Sequence, residues 1–213
     1  MPEIVLQFST TKNSWGWRPP FFPNWASWAI RHMSHSPFSH VDMEIPGVGL
    51  LGASDSPKAL VISGNASGVA VRPDDYEDYG RKFRMVIETP LADDIRAWAM
   101  TQLGKPFDDS ALYGFLSDAL PGQRDWRVAD SWFCSELVVW AFEVAGYWPS
   151  VPQVWPKNRI SPSDMLMLFL FDTRWINRNT FWETGQNDTL AAHVSRRLAR
   201  MGLRMAVRDR GGA

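Results

Sequence analysis

The chain contains a single cysteine, Cys134, in the segment WFCSELV that spans residues 132–138. The segment lies at the predicted start of an amphipathic helix. There a thiol faces the positive end of the helix dipole and N–H groups without helical partners, which favour the thiolate. The thiolate is the nucleophilic form of cysteine, so the position suits a covalent catalyst. The alternative is a buried structural cysteine, which behaves as a small apolar side chain.

A cysteine nucleophile needs a base, and histidine suits that role near neutral pH. Of the four histidines, His40 is the one on a predicted strand, where it shares a face with polar side chains. His32 and His35 fall at a predicted helix end and loop, and His193 falls in a basic tail. We therefore expect His40 to be the base that accepts the Cys134 proton.

The imidazole of such a pair is oriented by a third polar group on its other ring nitrogen. If Ile45 pairs with Leu50 in the predicted hairpin, His40 falls opposite Asp55, within cross-strand reach. This register makes Asp55 the expected third residue. The other candidates are Asp42 and Glu44 on the histidine strand, and Ser54 where the hairpin returns.

Two kinds of periodicity predict the elements that position these residues. Alternation with period two predicts strands at residues 3–8, 39–45, 50–53, 68–71 and 82–89. Helical spacing predicts helices at residues 25–33, 91–103, 109–120 and 134–145, and a further apolar element begins at Ser161. Strands followed by helices indicate an α+β fold, with a small antiparallel sheet packed against helices.

Composition limits the classes of partner and site. A chain of 213 residues with a formal net charge of −1 and a pI of about 6.4 has no overall attraction to nucleic acid. One cysteine excludes an intrachain disulfide framework and a zinc site with several cysteines, and no cofactor is implied. The N-terminus lacks the pattern of a secretory signal, and no apolar run is long enough to cross a bilayer. We expect a soluble protein that is cytoplasmic at synthesis.

The last part of the chain has a different composition. Residues 172–213 are polar and rich in arginine, and residues 189–205 are predicted to form a basic amphipathic helix. Such a helix either packs on the domain as a solvated surface helix or docks on a protein partner or an anionic surface. We therefore divide the chain into a domain at residues 1–171 and a C-terminal helical extension at residues 172–213.

Two short motifs resemble those of a known family. SHV at residues 39–41 and FCSEL at residues 133–137 are similar to the motifs of the circularly permuted NlpC/P60 branch of the papain-like cysteine hydrolases, in which histidine precedes cysteine. Further parts of the chain resemble that family: residues 30–31 with 36–40, LGKPFD (103–108) and ISPSD (160–164). The resemblance covers roughly residues 1–170 and includes bacterial and phage or prophage proteins.

The resemblance implies a permuted papain-like fold, with Cys134 as nucleophile and His40 as base. It implies a cysteine amidohydrolase or endopeptidase acting on peptidoglycan peptides or a related acyl substrate, and a phage-type member would be virion-associated. In the family, a third polar residue lies on the strand after the histidine strand. The corresponding position here is about Gly52, which has no side chain. The site would then use Asp55 or Ser54, act as a dyad, or be inactive.

Two other functions stay open at this stage. A non-catalytic binding or structural module, such as a phage virion or tail component, is favoured by Gly52, the appended tail and the twelve tryptophans. A lipid-directed acyl hydrolase or acyltransferase would use the same chemistry on another bond. An enzyme needs sulfur and imidazole within reach of each other in an open cleft, whereas burial of Cys134 under Trp132 or Trp140 would favour the module.

Overall fold

The structure is a computed structural model that describes most of the predicted domain. The described residues are 2–11, 30–31, 38–55, 61–64, 67–76, 79–110, 130–147, 160–171 and 181–182. The predicted tail helix at residues 189–205 lies outside them. The predicted helices at 25–33 and 109–120 also lie mostly outside the described residues. The residues described within them, 30–31 and 109–110, are helical.

Seven described strands form one antiparallel sheet. Its order is β4-β5-β3-β2-β1-β6-β7. The strands are β1 (Glu3–Thr11), β2 (His40–Ile45), β3 (Gly49–Ser54), β4 (Ser63–Gly64), β5 (Gly68–Arg72), β6 (Tyr79–Glu88) and β7 (Phe181–Trp182). The five strands predicted from alternation are present. The short β4 and β7 were not predicted, and β7 comes from the segment assigned to the C-terminal extension.

Alternation along β1 assigns its side chains to two faces. Ile4, Leu6 and Phe8 are fully buried in the hydrophobic core, where they meet apolar partners on both neighbouring strands. Gln7 and Ser9 lie on the opposite face, directly across from Asp42 and His40 of β2. The polar residues of the candidate site therefore occupy one face of the central strands.

Three described helices complete the fold, which is α+β as predicted. They are α1 (Ala92–Met100), α2 (Cys134–Val144) and α3 (Pro162–Phe171). Helix α2 contacts β2 and β3 of the sheet as well as α1 and α3. Its buried side chains include Leu137, Val138 and Phe142. Because α2 touches β2 directly, its first residue, Cys134, is held close to the histidine strand.

The predicted register of the β2–β3 hairpin is wrong by one residue. Ile45 pairs with Gly49 instead of Leu50. The turn is shorter than predicted, because the Val48 N–H donates to the Ile45 carbonyl at 3.0 Å and Gly47 adopts a positive φ of 71°. Gly49 belongs to the strand, where a Cβ would lie 2.2 Å from the Arg72 carbonyl oxygen of β5. A one-residue shift moves every β3 side chain to the other face relative to β2.

Candidate active site

His40 and Asp42 form the centre of the candidate site. They are separated by one residue on β2, so their side chains share a face. The His40 Nε2 lies 2.8 Å from the Asp42 Oδ1. The Asp42 side chain is completely buried and that of His40 is 14% exposed. A buried carboxylate at this distance fixes the orientation of the imidazole.

Tyr76 joins this pair and was not singled out from the sequence. Its Oη lies 3.0 Å from the His40 Nε2 and donates to the Asp42 Oδ2 at 3.1 Å. A tight turn after β5, in which the Tyr76 N–H donates to the Pro73 carbonyl, brings the ring over the sheet. No spacing rule predicts this contact, and the only sequence signal is a tyrosine one turn after a strand.

A fully buried arginine lies beneath Tyr76. The Arg72 guanidinium carbon is 5.4 Å from the centroid of the Tyr76 ring. Its Nη atoms donate to the Gly52 carbonyl at 2.9 Å and to the Gly68 carbonyl at 2.8 Å. Arg72 therefore connects β3 and β5 to the ring that contacts His40.

Cys134 is the first residue of α2, as the sequence predicts. The N-cap residue Phe133 is extended and its side chain forms no capping hydrogen bond. The first intrahelical hydrogen bond runs from the Leu137 N–H to the Phe133 carbonyl at 3.0 Å. The positive end of the helix dipole is therefore adjacent to the sulfur and is not shielded by a capping side chain.

Electrostatics couple Cys134 to His40. Burial alone lowers the pKa of His40, because it penalises the charged imidazolium. The negative charges of Asp42 and Cys134, and hydrogen bonds to both, outweigh burial and raise the pKa of His40 well above 6.5. Since Asp42 and Tyr76 occupy Nε2, Nδ1 is the ring atom left for the thiol. The surroundings of His40 therefore favour its charged imidazolium form.

The other predicted third residues lie elsewhere. The corrected register places Ser54 rather than Asp55 opposite His40, so the reason for choosing Asp55 is lost. Asp55 follows β3 and is exposed. Burial and the nearby negative charge of Asp55 raise the pKa of Asp109. Glu44 pairs with Arg84, with 3.5 Å between Oε2 and Nη1. Among the carboxylates considered from the sequence, Asp42 is the one hydrogen-bonded to His40.

Segment 103–108 is hydrogen-bonded to the chain just before Cys134. Its Pro106 carbonyl accepts a hydrogen bond from the Trp132 N–H, and the Trp132 carbonyl accepts one from the Asp108 N–H, each at 3.0 Å. Trp132 stands two residues before Cys134. Asp108 also accepts a hydrogen bond from the Ser110 N–H, as expected of a helix cap. The segment therefore fixes the chain where α2 begins.

The sulfur is not open to solvent. Cys134 is only 1% exposed, whereas an enzyme needs a nucleophile that its substrate can reach. Trp132 packs edge-on against Trp140 and Trp98, with ring centroids 6.2 and 5.6 Å away. A substrate can reach the sulfur only if neighbouring groups move.

Comparisons with known proteins add no assignment. No protein-family model matches the chain, and no curated protein is significantly similar to it in sequence.

Within the described ranges, no three histidine, cysteine, aspartate or glutamate side chains are grouped to hold a metal ion. No described helix has the length and hydropathy needed to cross a membrane.

Proposed function

We propose that the protein is a cysteine hydrolase of the permuted papain-like type, with Cys134 as nucleophile and His40 as its acid–base partner. The observation that carries this proposal is the His40 imidazole, which is bound to buried Asp42 and has its pKa raised by Asp42 and Cys134. An imidazolium beside a thiolate is the resting state of an activated cysteine. The proposal takes Asp42, and not Asp55, as the orienting residue.

The reaction would proceed in two steps through an acyl-enzyme. The Cys134 thiolate attacks the substrate carbonyl carbon, and the backbone N–H of Cys134 stabilises the oxyanion at the start of α2. His40 donates its proton to the leaving amine or alcohol as the carbonyl–heteroatom bond breaks, which leaves a thioester. His40 then accepts a proton from water, which hydrolyses the thioester and releases the carboxylic acid.

The motif resemblance favours an amide of a peptidoglycan peptide as the substrate. Segment 160–164, which belongs to that resemblance, lies beside α2, and its residues hold α3 against α2. The Ser135 hydroxyl donates to the Ile160 carbonyl, and α3 contacts α2. An ester or thioester of a lipid acid would react by the same steps, as would transfer of the acyl group to an acceptor other than water.

Trapping the acyl-enzyme tests the proposal. The full chain is incubated with an activated acyl ester and, separately, with a peptidoglycan stem peptide, and intact mass and released products are measured. We expect one acyl group on Cys134 or release of peptide fragments, and neither in Cys134→Ala. A wild-type protein that gains no acyl group and releases no product would refute the proposal.

Burial of Cys134 favours a second candidate function. A thiol that is 1% exposed is compatible with a binding or structural module that keeps the site without turnover. Such a module would not react with either substrate class. Wild type and Cys134→Ala would both bind a partner and leave it uncleaved, whereas a wild-type enzyme would cleave the molecule that it binds.

A further inference from the structure

Gly52 of β3 lies directly beside the Asp42 carboxylate. A Cβ at position 52 would fall 1.9 Å from the Asp42 Oδ1 and 3.0 Å from its Cγ. The next atom, the Val41 carbonyl oxygen, is 3.5 Å away, which is an ordinary contact. The Asp42 carboxylate alone therefore occupies the space that a side chain at position 52 would enter.

The backbone at Gly52 does not itself require glycine. Gly52 pairs with Ala70 in regular antiparallel β-structure and is not among the residues with positive φ. Any L-residue can adopt that conformation. Glycine is needed here only because of the neighbouring carboxylate, in contrast to Gly47, where positive φ favours it.

The carboxylate has no free path away from position 52. Asp42 is fully buried, and its two oxygens are bound to His40 and Tyr76. Moving it by the more than 1 Å that a Cβ demands breaks at least one of these hydrogen bonds. A methyl group at position 52 therefore acts on His40 through Asp42, although position 52 does not touch the imidazole.

From this geometry we infer that positions 42 and 52 are alternative sources of one orienting carboxylate for His40. Asp42 supplies it from the histidine strand, and Gly52 is the positioning residue that leaves room for it. In Asp42→Gly/Gly52→Asp, the new aspartate at position 52 has its Cβ 1.9 Å from the position that the Asp42 Oδ1 occupies in wild type. Its carboxylate can therefore reach His40 from β3. This inference rests on the proposed site, but it is tested by the pKa of His40 and does not require catalytic turnover.

The test is the titration of His40 followed by NMR, with its resonance assigned by its loss in His40→Gln. The proteins compared are wild type, Gly52→Ala, Asp42→Gly, Asp42→Gly/Gly52→Ala and Asp42→Gly/Gly52→Asp. We expect a raised His40 pKa in wild type and in the exchange variant Asp42→Gly/Gly52→Asp. The pKa should be lower in the other three proteins, which have a displaced carboxylate or none.

Stability provides a second readout if Gly52→Ala folds poorly. Removing Asp42 leaves no other atom closer than 3.5 Å to the alanine methyl, so Asp42→Gly/Gly52→Ala should recover a thermal transition that Gly52→Ala has lost. An unchanged His40 pKa in folded Gly52→Ala would overturn the inference. So would an exchange variant whose His40 pKa equals that of Asp42→Gly/Gly52→Ala. A chain that passes this test but forms no acyl-enzyme would refute only the proposed hydrolase.

Discussion

At the scale of single residues, the site depends on a histidine and a carboxylate separated by one position. His40 and Asp42 share a face because strand side chains alternate, so this pairing follows from the sequence alone. The choice of Asp42 over Asp55 does not follow from the sequence alone. It depends on the β2–β3 register, which the turn at Gly47 determines. The role of Tyr76 could not be predicted from the sequence either, because its contact with His40 joins residues 36 positions apart.

The Tyr76 hydroxyl is predicted to support the imidazole without forming the thiolate itself. Tyr76→Phe removes one hydrogen bond to Asp42 and one contact with His40. With a net value of about 0.5–1.5 kcal/mol for a hydrogen bond, Cys134 alkylation at slightly acidic pH should slow by roughly 2- to 10-fold. Tyr147→Phe, in the aromatic cluster with Phe142 and Phe169, is the control and should react like wild type. Equal rates for both variants would exclude a role for Tyr76.

At the scale of elements, sequence patterns identified the five longer strands and the helices α1 and α2, and most of their boundaries agree within a few residues. The clearest case is α2, predicted at residues 134–145 and observed from Cys134 to Val144. Helix α3 was expected only as an apolar element that begins at Ser161. Alternation does not reveal register, and Gly49 reads as a turn residue although it belongs to β3 because β5 approaches closely. The two-residue strands β4 and β7 are too short to show any period.

The start of α3 contains a reciprocal cap whose contribution can be measured. The Ser161 N–H and hydroxyl donate to the Asp164 Oδ2, and the Asp164 N–H donates to the Ser161 Oγ at 3.1 Å. Ser161→Ala should lower the free energy of unfolding by about 0.5–2 kcal/mol. Chemical denaturation measures it, with Ser63→Ala on the exposed β4 as control. A loss no larger than that of the control would contradict the capping role.

At the scale of the whole molecule, the central sheet carries buried charge on the face opposite the core. Asp42 and Arg72 are both fully buried, and His40 is partly so. Burying charge is costly unless hydrogen bonds compensate for it, and here Arg72 binds carbonyl groups while Asp42 binds His40 and Tyr76. Protonation of His40 is therefore linked to folding.

This linkage predicts how stability depends on pH. Because the folded pKa of His40 is raised above 6.5, its contribution is fully present below pH 6.5 and is lost as pH rises through the folded pKa. The free energy of unfolding of wild type should fall over that interval. Asp42→Asn should weaken the fall, since the Asp42 charge is the largest influence that raises the pKa.

Urea denaturation across this pH range measures the effect. Glu44→Gln is the matched control, because it also neutralises a carboxylate on β2, one that pairs with Arg84 instead of His40. Its pH dependence should follow wild type. Parallel pH profiles for wild type and Asp42→Asn would contradict the linkage.

The most direct test of the site is the rate of Cys134 alkylation by iodoacetamide as a function of pH, in wild type and in His40→Ala. The single cysteine makes the labelled position unambiguous. We predict that the native wild-type thiol reacts well below about pH 8.5, where free thiols titrate, and that His40→Ala loses this low-pH reactivity. A wild-type thiol that reacts only like a free thiol, or only after denaturation, with no change in His40→Ala, would contradict a working Cys134–His40 pair.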